Sequence, residues 1–172
     1  ATKDKINANQ EIIDLIQALG CKRGDKYSSK ELRYEKVIIM TDADVDGAHI
    51  STLIMSFFYS EYPKLIEDGH LYLAVPPLYK LSKGPKVFYA TDDKDKDKLI
   101  KSEFKNSQNV DISRFKGLGE MMPAQLKETT MSPENRILLK VEIIKNEKKK
   151  TQKSVEALMG KKPELRFKFI QE

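Results

Sequence analysis

Apolar residues in the first third of the chain change from helical to strand-like spacing. In the segment NANQEIIDLIQALG they recur at the period of a helix, and Gly20 ends the segment, which predicts an amphipathic helix. In KVIIM, from Lys36 to Met40, four apolar residues follow one another without alternation, which is typical of a buried strand. The pattern therefore predicts a surface helix followed by a core strand.

The next segment returns to helical spacing and then to a second strand. After Gly47, apolar residues through Phe58 lie at helical spacing, and we expect Pro63 and Gly69 to bend and close this segment. HLYLAV, which ends before Pro76, predicts another strand. The order strand–helix–strand predicts a parallel crossover unit and therefore an α/β fold.

The second half of the chain predicts shorter elements. KVFYA predicts a strand, and DDKDKDKLIKSEF predicts an exposed helix with Asp92 near its N-terminus. Pro123 suits the first turn of a helix that runs to Thr129, RILLKVEII predicts a strand, and NEKKKTQK predicts a loop or frayed turn. SVEALMG and PELRFKFIQE predict two final helices, divided at Gly160 and Pro163.

Composition favours a globular cytoplasmic protein. The chain has 172 residues, enough for one domain and a small appendage, and no apolar run approaches the length of a membrane span. Cys21 is the single cysteine, which excludes an internal disulfide and fits a reducing compartment. Because the sequence lacks an initiator Met, we expect it to be a piece of a longer protein.

Charge is distributed unevenly along the chain. Residues 1–108 hold 17 Lys/Arg and 17 Asp/Glu, whereas residues 109–172 hold 14 and 9, so the net charge of +5 lies in the second part. A basic tail beside an acidic cluster favours a polyanionic partner bound partly through cations, although a solvated lysine-rich surface gives the same excess. We therefore divide the chain into a domain of residues 1–108 and a basic α+β tail of residues 109–172.

Three aspartates follow the first predicted strand. Asp42, Asp44 and Asp46 would point to one side of an extended segment, where their mutual repulsion predicts a bound cation. An EF-hand loop matches the opening of this pattern and Gly47, but its twelfth position is Leu53 where a glutamate is required. A magnesium site at the carboxyl edge of a strand fits better, and Asp46 is also expected to cap the following helix.

Three segments of the sequence resemble motifs of a known family. TDADVDGAHI resembles the DxDxDG motif of Toprim domains, which occur in topoisomerases, primases and some nucleases. With GHLYLAVPPLYKL and SRFKGLGEMMPAQLKETTM, nearly the whole chain resembles the B subunit of bacterial type IIA topoisomerases. MMPAQLKETTM and LMGKKPELRFKFIQE favour the topoisomerase IV branch over the gyrase branch. The alternatives are the gyrase B subunit, or another Toprim nuclease or topoisomerase.

This resemblance implies a fold and a shared mechanism. The fold is a Rossmann-like parallel sheet with flanking helices, here expected to lack its first strand. A tyrosine of the partner A subunit attacks a DNA phosphodiester while Toprim-bound Mg²⁺, for which Mn²⁺ or Ca²⁺ could substitute, stabilises the charge on the reacting oxygens. Asp42 and Asp44 are then the metal ligands, and Asp46 is an outer-shell or alternative ligand.

The resemblance also implies partners and DNA contacts. The expected partners are double-stranded DNA and the A subunit, in an A2B2 heterotetramer located in the cytoplasm at the nucleoid, with no membrane partner. His49 is expected near the scissile phosphate, and the candidate phosphate contacts are Lys80, Arg114, Lys116 and Arg166. Gly117 and Gly119 either form a tight turn or allow backbone amides to approach a phosphate.

One part of the family pattern does not occur in the sequence. The first Toprim motif of the family carries a glutamate in an EGDSA-like stretch, whereas Glu11 and Glu31 stand in other contexts. No ATP-binding pattern occurs either. We therefore expect the catalytic glutamate, the nucleophilic tyrosine and the ATP site to lie outside these residues. The complete enzyme would be an ATP-hydrolysing topoisomerase, and this chain alone would be inactive.

Overall fold

The computed structural model describes residues 6–107 and 109–171, in which helices and strands are interspersed along the chain. The elements are α1 (Gln10–Leu19), β1 (Val37–Ile39), α2 (Val45–Glu61), α3 (Pro63–Glu67), β2 (Leu71–Val75), β3 (Tyr79–Lys83), β4 (Lys86–Ala90), α4 (Asp93–Ser102), β5 (Asp111–Arg114), α5 (Pro123–Leu126), β6 (Ile137–Lys140), α6 (Lys148–Met159) and α7 (Pro163–Gln171). The order β1–α2–α3–β2 confirms the predicted strand–helix–strand segment and the α/β class.

The strands form two three-stranded sheets, ordered β1-β2-β6 and β4-β3-β5. In the second sheet β3 is central and antiparallel to both neighbours, so that Tyr79 lies opposite Ala90 on one side and Arg114 on the other. β3 was not predicted from the sequence, although YKLSK alternates apolar and polar residues as a half-buried strand does. β5 was not predicted because that strand is polar apart from one isoleucine and is exposed along its length. The strand predicted across RILLKVEII is confined to β6.

Packing divides the chain into two compact units, which are described separately. The first unit takes residues up to 37, residues 52–72 and residues from 140 onward, and the second takes residues 38–51 and 73–139. Both units are therefore discontinuous in sequence. The division predicted at residue 108 was drawn from the distribution of charge and stays a prediction.

In the first unit, α1 has the boundaries that its sequence predicts. The side chain of Asn9 accepts a hydrogen bond from the Ile12 amide at 3.0 Å, which satisfies one free amide of the first turn. The helix ends at Gly20, whose φ of 75° is in the left-handed region. Leu19 and Cys21 are buried next to this end, and burial raises the pKa of the Cys21 thiol.

Four aromatic side chains form a cluster in the same unit. The ring centroid of Tyr62 lies 5.8 Å from that of Phe58, 6.0 Å from that of Phe57 and 6.4 Å from that of Tyr27. The Tyr27 and Phe57 rings meet Tyr62 edge to face, the arrangement that aromatic quadrupoles favour. Burial is the main cause that raises the pKa of both Tyr27 and Tyr62 to about 12.

The core of the second unit lies between β3, β4 and the α4 region. Its buried members are Tyr79, Leu81, Ala90 and Phe104. Phe88 packs edge to face on Phe104 with ring centroids 5.6 Å apart. Helix α4 begins as predicted, since the Asp92 carboxylate accepts a hydrogen bond from the Asp95 amide at 2.8 Å. It was predicted to be exposed, but its Leu99 and Ile100 pack against this core.

The lysine-rich segment NEKKKTQK is helical where a loop was predicted. After a 3₁₀ turn at Lys145–Glu147, α6 begins at Lys148. Lysine favours a helix, and ion pairs from Lys148 to Glu67 and from Lys150 to Glu147 hold the first turn of α6. α5 ends at Leu126 and continues as a π turn to Met131 instead of as a regular helix to Thr129. Nowhere in the described residues does a helix have the length and apolarity needed to cross a membrane.

Candidate metal site and nucleic-acid contacts

The junction between β1 and α2 carries the aspartate motif. Asp44 caps α2, because its Oδ1 accepts a hydrogen bond from the Gly47 amide at 2.7 Å and its carbonyl accepts one from the Ala48 amide at 3.0 Å. This corrects the predicted cap at Asp46, which lies within the first turn of α2. The three aspartates therefore do not share one extended stretch, and two of them lie where the helix N-terminus favours negative charge.

Two glycines and the amide of a residue distant in sequence lie close to Asp42. Its Oδ1 accepts a hydrogen bond from the Leu118 amide at 2.7 Å. A Cβ on Gly47 would lie 2.0 Å from the Asp42 carbonyl oxygen, and a Cβ on Gly117 would lie 3.0 Å from the Asp42 Cγ. Both glycines are therefore needed for close approach to the aspartate backbone and carboxylate.

The segment RFKGLGE forms a self-contained turn, which agrees with the tight-turn interpretation of its glycines. The Glu120 carboxylate accepts a hydrogen bond from the Lys116 amide at 2.8 Å, and a 3₁₀ turn spans Leu118–Glu120. Phe115 and Met121 are buried on either side of it. The Leu118 amide, held in this turn, points to a carboxylate.

The chemistry of these donors fits a hard divalent cation. No group of three or more His, Cys, Asp or Glu side chains within residues 6–107 and 109–171 is arranged to hold a metal. Asp42 and Asp44 are both exposed, and each commits one carboxylate oxygen to a backbone amide. Mg²⁺ commonly binds through one or two carboxylates and keeps waters and substrate phosphates as its other ligands. The pair therefore fits Mg²⁺ held in that way, rather than a cage of three aspartates.

His49 and Lys80 lie on different elements of the second unit. His49 is exposed in the first half of α2. Lys80 is half-buried at the centre of the antiparallel sheet, opposite Tyr89 on β4 and Ser113 on β5. Neither side chain forms an ion pair with any residue that the structure describes, so each is a cation or potential cation without a neutralising carboxylate.

Arg114 belongs to a cluster around the ring of Tyr79. The Lys96 ammonium lies 4.8 Å and the Arg114 guanidinium 5.8 Å from the ring centroid, both within cation–π range. The Tyr79 hydroxyl and the Lys96 ammonium donate hydrogen bonds to Asp93 Oδ1 at 2.9 and 2.7 Å. The Lys96 bond is the main cause that lowers the pKa of Asp93, and the same bond raises the pKa of Lys96.

Lys116 and Arg166 differ in whether their side chains form hydrogen bonds with the rest of the described structure. The Lys116 side chain is exposed, and only its backbone amide takes part in the turn. Arg166 belongs to the first unit, where its guanidinium donates to the Gly160 carbonyl at 2.7 Å and to the Leu158 carbonyl at 3.5 Å. Arg166 thus caps the C-terminal end of α6, a contact that the sequence did not indicate.

Sequence reasoning did not identify Leu118 or Glu120 as part of the site. Leu118 contributes its backbone amide, so its side-chain type gives no signal. Its contact with Asp42 joins residues 76 positions apart, which no local pattern detects. The indication that was present is the pair of glycines around Leu118, because glycine often marks a close backbone approach.

Two family models match the chain. A model described as Toprim domain matches residues 2–76, and one described as DNA gyrase B subunit, carboxyl terminus, matches residues 107–171. The first match ends one residue after β2, and it contains all three aspartates of the motif. The second contains the turn around Leu118 and the helices α6 and α7.

Curated relatives align along the whole chain. It is 58% identical to the B subunit of DNA topoisomerase 4 from Bartonella bacilliformis and 55% identical to that from Caulobacter vibrioides, over 100% of its length in both cases. It is 47% identical to the B subunit of DNA gyrase from Clostridium acetobutylicum over 98% of its length. The chain spans 24–26% of the length of these relatives.

Proposed function

Because the chain belongs to the B-subunit family of bacterial type IIA topoisomerases, we propose that it forms the metal-binding and DNA-contacting part of such a subunit. In this function it assists the tyrosine of a partner A subunit in cutting and rejoining a DNA duplex. Its identity is higher to the topoisomerase IV subunits named above than to the gyrase subunit, which supports decatenation and relaxation as the activity of the complete enzyme.

The observation that carries the proposal is the fixed position of two carboxylates at the β1–α2 junction. Asp42 is oriented by the Leu118 amide and Asp44 by the Gly47 amide, so neither carboxylate is a freely rotating surface group. These two residues would hold Mg²⁺, with Asp46 as an outer ligand in the first turn of α2. When bound, the metal stabilises negative charge on the reacting phosphate oxygens.

DNA is proposed to lie along cations of the second unit. Lys80, Arg114 and Lys116 carry charges that no described ion pair neutralises, and phosphate contacts from such residues position a duplex without reading its sequence. His49, on α2 beyond the aspartates, would contact the backbone near the cut. Arg166 of the first unit is proposed separately as a phosphate contact, and it also caps α6.

The remaining parts of the reaction are proposed to lie elsewhere in the enzyme. The nucleophilic tyrosine belongs to the A subunit of an A2B2 assembly, and ATP hydrolysis and the catalytic glutamate belong to a part of the B subunit outside these residues. In this proposal the chain acts in the cytoplasm, on chromosomal DNA, and is inactive alone.

The proposal is tested by replacing Asp42 with Asn in the full-length subunit, assembled with its A partner. The change removes a charge at nearly constant volume and keeps an oxygen that accepts the Leu118 amide. We expect Mg²⁺-dependent DNA cleavage to be lost while the thermal unfolding curve is unchanged. Cleavage is measured by gel electrophoresis of a supercoiled plasmid after the covalent complex is trapped with detergent.

The matched control is Asp97→Asn, the same chemical change on the exposed face of α4. It should cleave as the unaltered enzyme does. Full cleavage by Asp42→Asn would refute the metal assignment. Cleavage by the B subunit in the absence of any A subunit would instead support a one-chain Toprim nuclease.

A further inference from the structure

We propose that the turn of residues 116–120 positions the metal-binding carboxylate of Asp42 through the backbone amide of Leu118. The inference rests on the proposed function of Asp42 and extends it to residues 76 positions away in sequence. Leu118 and Gly117 are thus positioning residues for the metal site, in addition to any contact that Lys116 makes with DNA.

The first support is the hydrogen bond itself. A backbone amide that donates to an ionised carboxylate forms a charge-assisted bond, and the 2.7 Å length from Leu118 N to Asp42 Oδ1 is at the short end of that class. The bond fixes one oxygen and thereby the plane of the carboxylate. Loss of a group that orients a metal ligand in this way typically lowers metal affinity by about 10- to 100-fold.

The second support is the rigidity of the donor. Glu120 closes the turn through the Lys116 amide, and the Met121 amide bonds to the Leu118 carbonyl at 3.1 Å. Phe115 and Met121 are buried at 8% and 7% exposure, so a buried side chain anchors each end of the turn. The Leu118 amide therefore has a fixed direction before any ligand arrives.

The third support is the space around Gly117. An added Cβ there would lie 3.0 Å from Asp42 Cγ and 3.1 Å from each carboxylate oxygen, tighter than ordinary contact. The glycine two positions later differs, since a Cβ on Gly119 would meet nothing within 4 Å. The requirement for glycine at 117 thus comes from the carboxylate, because Gly117 itself has an extended backbone with φ of −163°.

The hydrogen bond can be deleted by a substitution at Leu118 itself. Leu118 is the first residue of a 3₁₀ turn, a position that suits proline, and the extended Gly117 before it is compatible with a following proline. Leu118→Pro therefore removes the donating N–H and places the proline Cδ where that hydrogen stood, so the Asp42 carboxylate loses its donor and must turn away from the turn. Leu118→Ala keeps the N–H and removes only the side chain.

The experiment measures Mn²⁺ binding to the full-length subunit without nucleotide, by electron paramagnetic resonance of the free ion. The site is defined as the binding that Asp42→Asn abolishes. We expect Leu118→Pro to weaken that binding by roughly 10-fold, the lower end of what removal of an orienting partner costs, and Leu118→Ala to leave it unchanged. With the A subunit present, Leu118→Pro should raise the Mg²⁺ concentration for half-maximal cleavage, while the plateau is restored at high Mg²⁺.

A second pair of variants decides the matter if Leu118→Pro fails to fold. Gly117→Ala should weaken Mn²⁺ binding and Gly119→Ala should not. Equal affinity within either pair of folded variants would overturn the inference and leave the proposed metal site standing. Full Mn²⁺ affinity in Asp42→Asn would overturn both.

Discussion

At the residue scale, Asp44 has two roles that depend on different chemical properties of its side chain. Its Oδ1 caps α2 through the Gly47 amide, which requires only an oxygen acceptor. Metal binding, as proposed, requires the negative charge as well. Asparagine retains the acceptor and lacks the charge, whereas alanine lacks both, so the two substitutions report on different functions of one side chain.

We predict that Asp44→Ala lowers the free energy of unfolding by about 1 kcal/mol and that Asp44→Asn changes it by only a few tenths. Both variants should lose metal-dependent cleavage. Urea denaturation in the presence of a chelator measures the first effect free of any contribution from bound metal. Equal destabilisation by Asn and Ala would show that the charge, and not the cap, stabilises the start of α2.

At the scale of elements, the sequence predicts those whose apolar spacing is regular. α1, β1, α2 and β2 appear where their patterns place them, and Asp92 begins α4 as expected. β5 was not predicted because an exposed strand has no apolar face to indicate it. The start of α6 was not predicted because its lysines carry no periodicity, and tertiary contacts such as the ion pair from Lys148 to Glu67 support it. The aspartates of the site were identified locally, but the amide that orients Asp42 was not.

The end of α6 gives a prediction at this scale. Arg166→Ala removes the guanidinium that satisfies the Gly160 and Leu158 carbonyls, and we expect a decrease of roughly 1 kcal/mol in unfolding free energy. Lys168→Ala, on the same helix and exposed, should change it by less than about 0.5 kcal/mol. Chemical denaturation followed by circular dichroism provides the comparison. Equal stability of the two variants would mean that water replaces the cap without cost.

At the scale of the whole molecule, the fold refines the distribution of charge. The second unit, which contains the aspartates, holds 12 Lys/Arg and 12 Asp/Glu. Residues 109–139 are also neutral, with 4 Lys/Arg and 4 Asp/Glu. The entire positive excess therefore lies in residues 140–172, which hold 10 Lys/Arg and 5 Asp/Glu. The basic tail is therefore the segment of α6 and α7 in the first unit. The cations of the second unit belong to a unit whose net charge is zero.

This distribution predicts that lysines of α6 add to the salt dependence of DNA binding that the proposed contacts of the second unit produce. Replacing Lys149 and Lys153 of α6 with Gln should reduce the slope of log affinity against log salt by about 0.9 for each phosphate that the protein no longer neutralises. Replacing Lys22 and Lys30, equally exposed residues before β1, should leave the slope unchanged. Fluorescence anisotropy of a labelled duplex with the assembled enzyme gives both slopes. An equal decrease in both double variants would indicate a diffuse response to net charge.

The close approach of Gly47 and Gly117 to Asp42 also limits how the gene can vary. Every single-nucleotide change in a glycine codon that is not silent introduces a stop or a residue with a Cβ, and at these two positions a Cβ would meet the aspartate. A coding change at either glycine therefore requires Asp42 to shift with it. An inhibitor that bound the backbone at these glycines would face a target with few routes to resistance, whereas a single codon change at Gly119, where the surface is open, could block an inhibitor bound there.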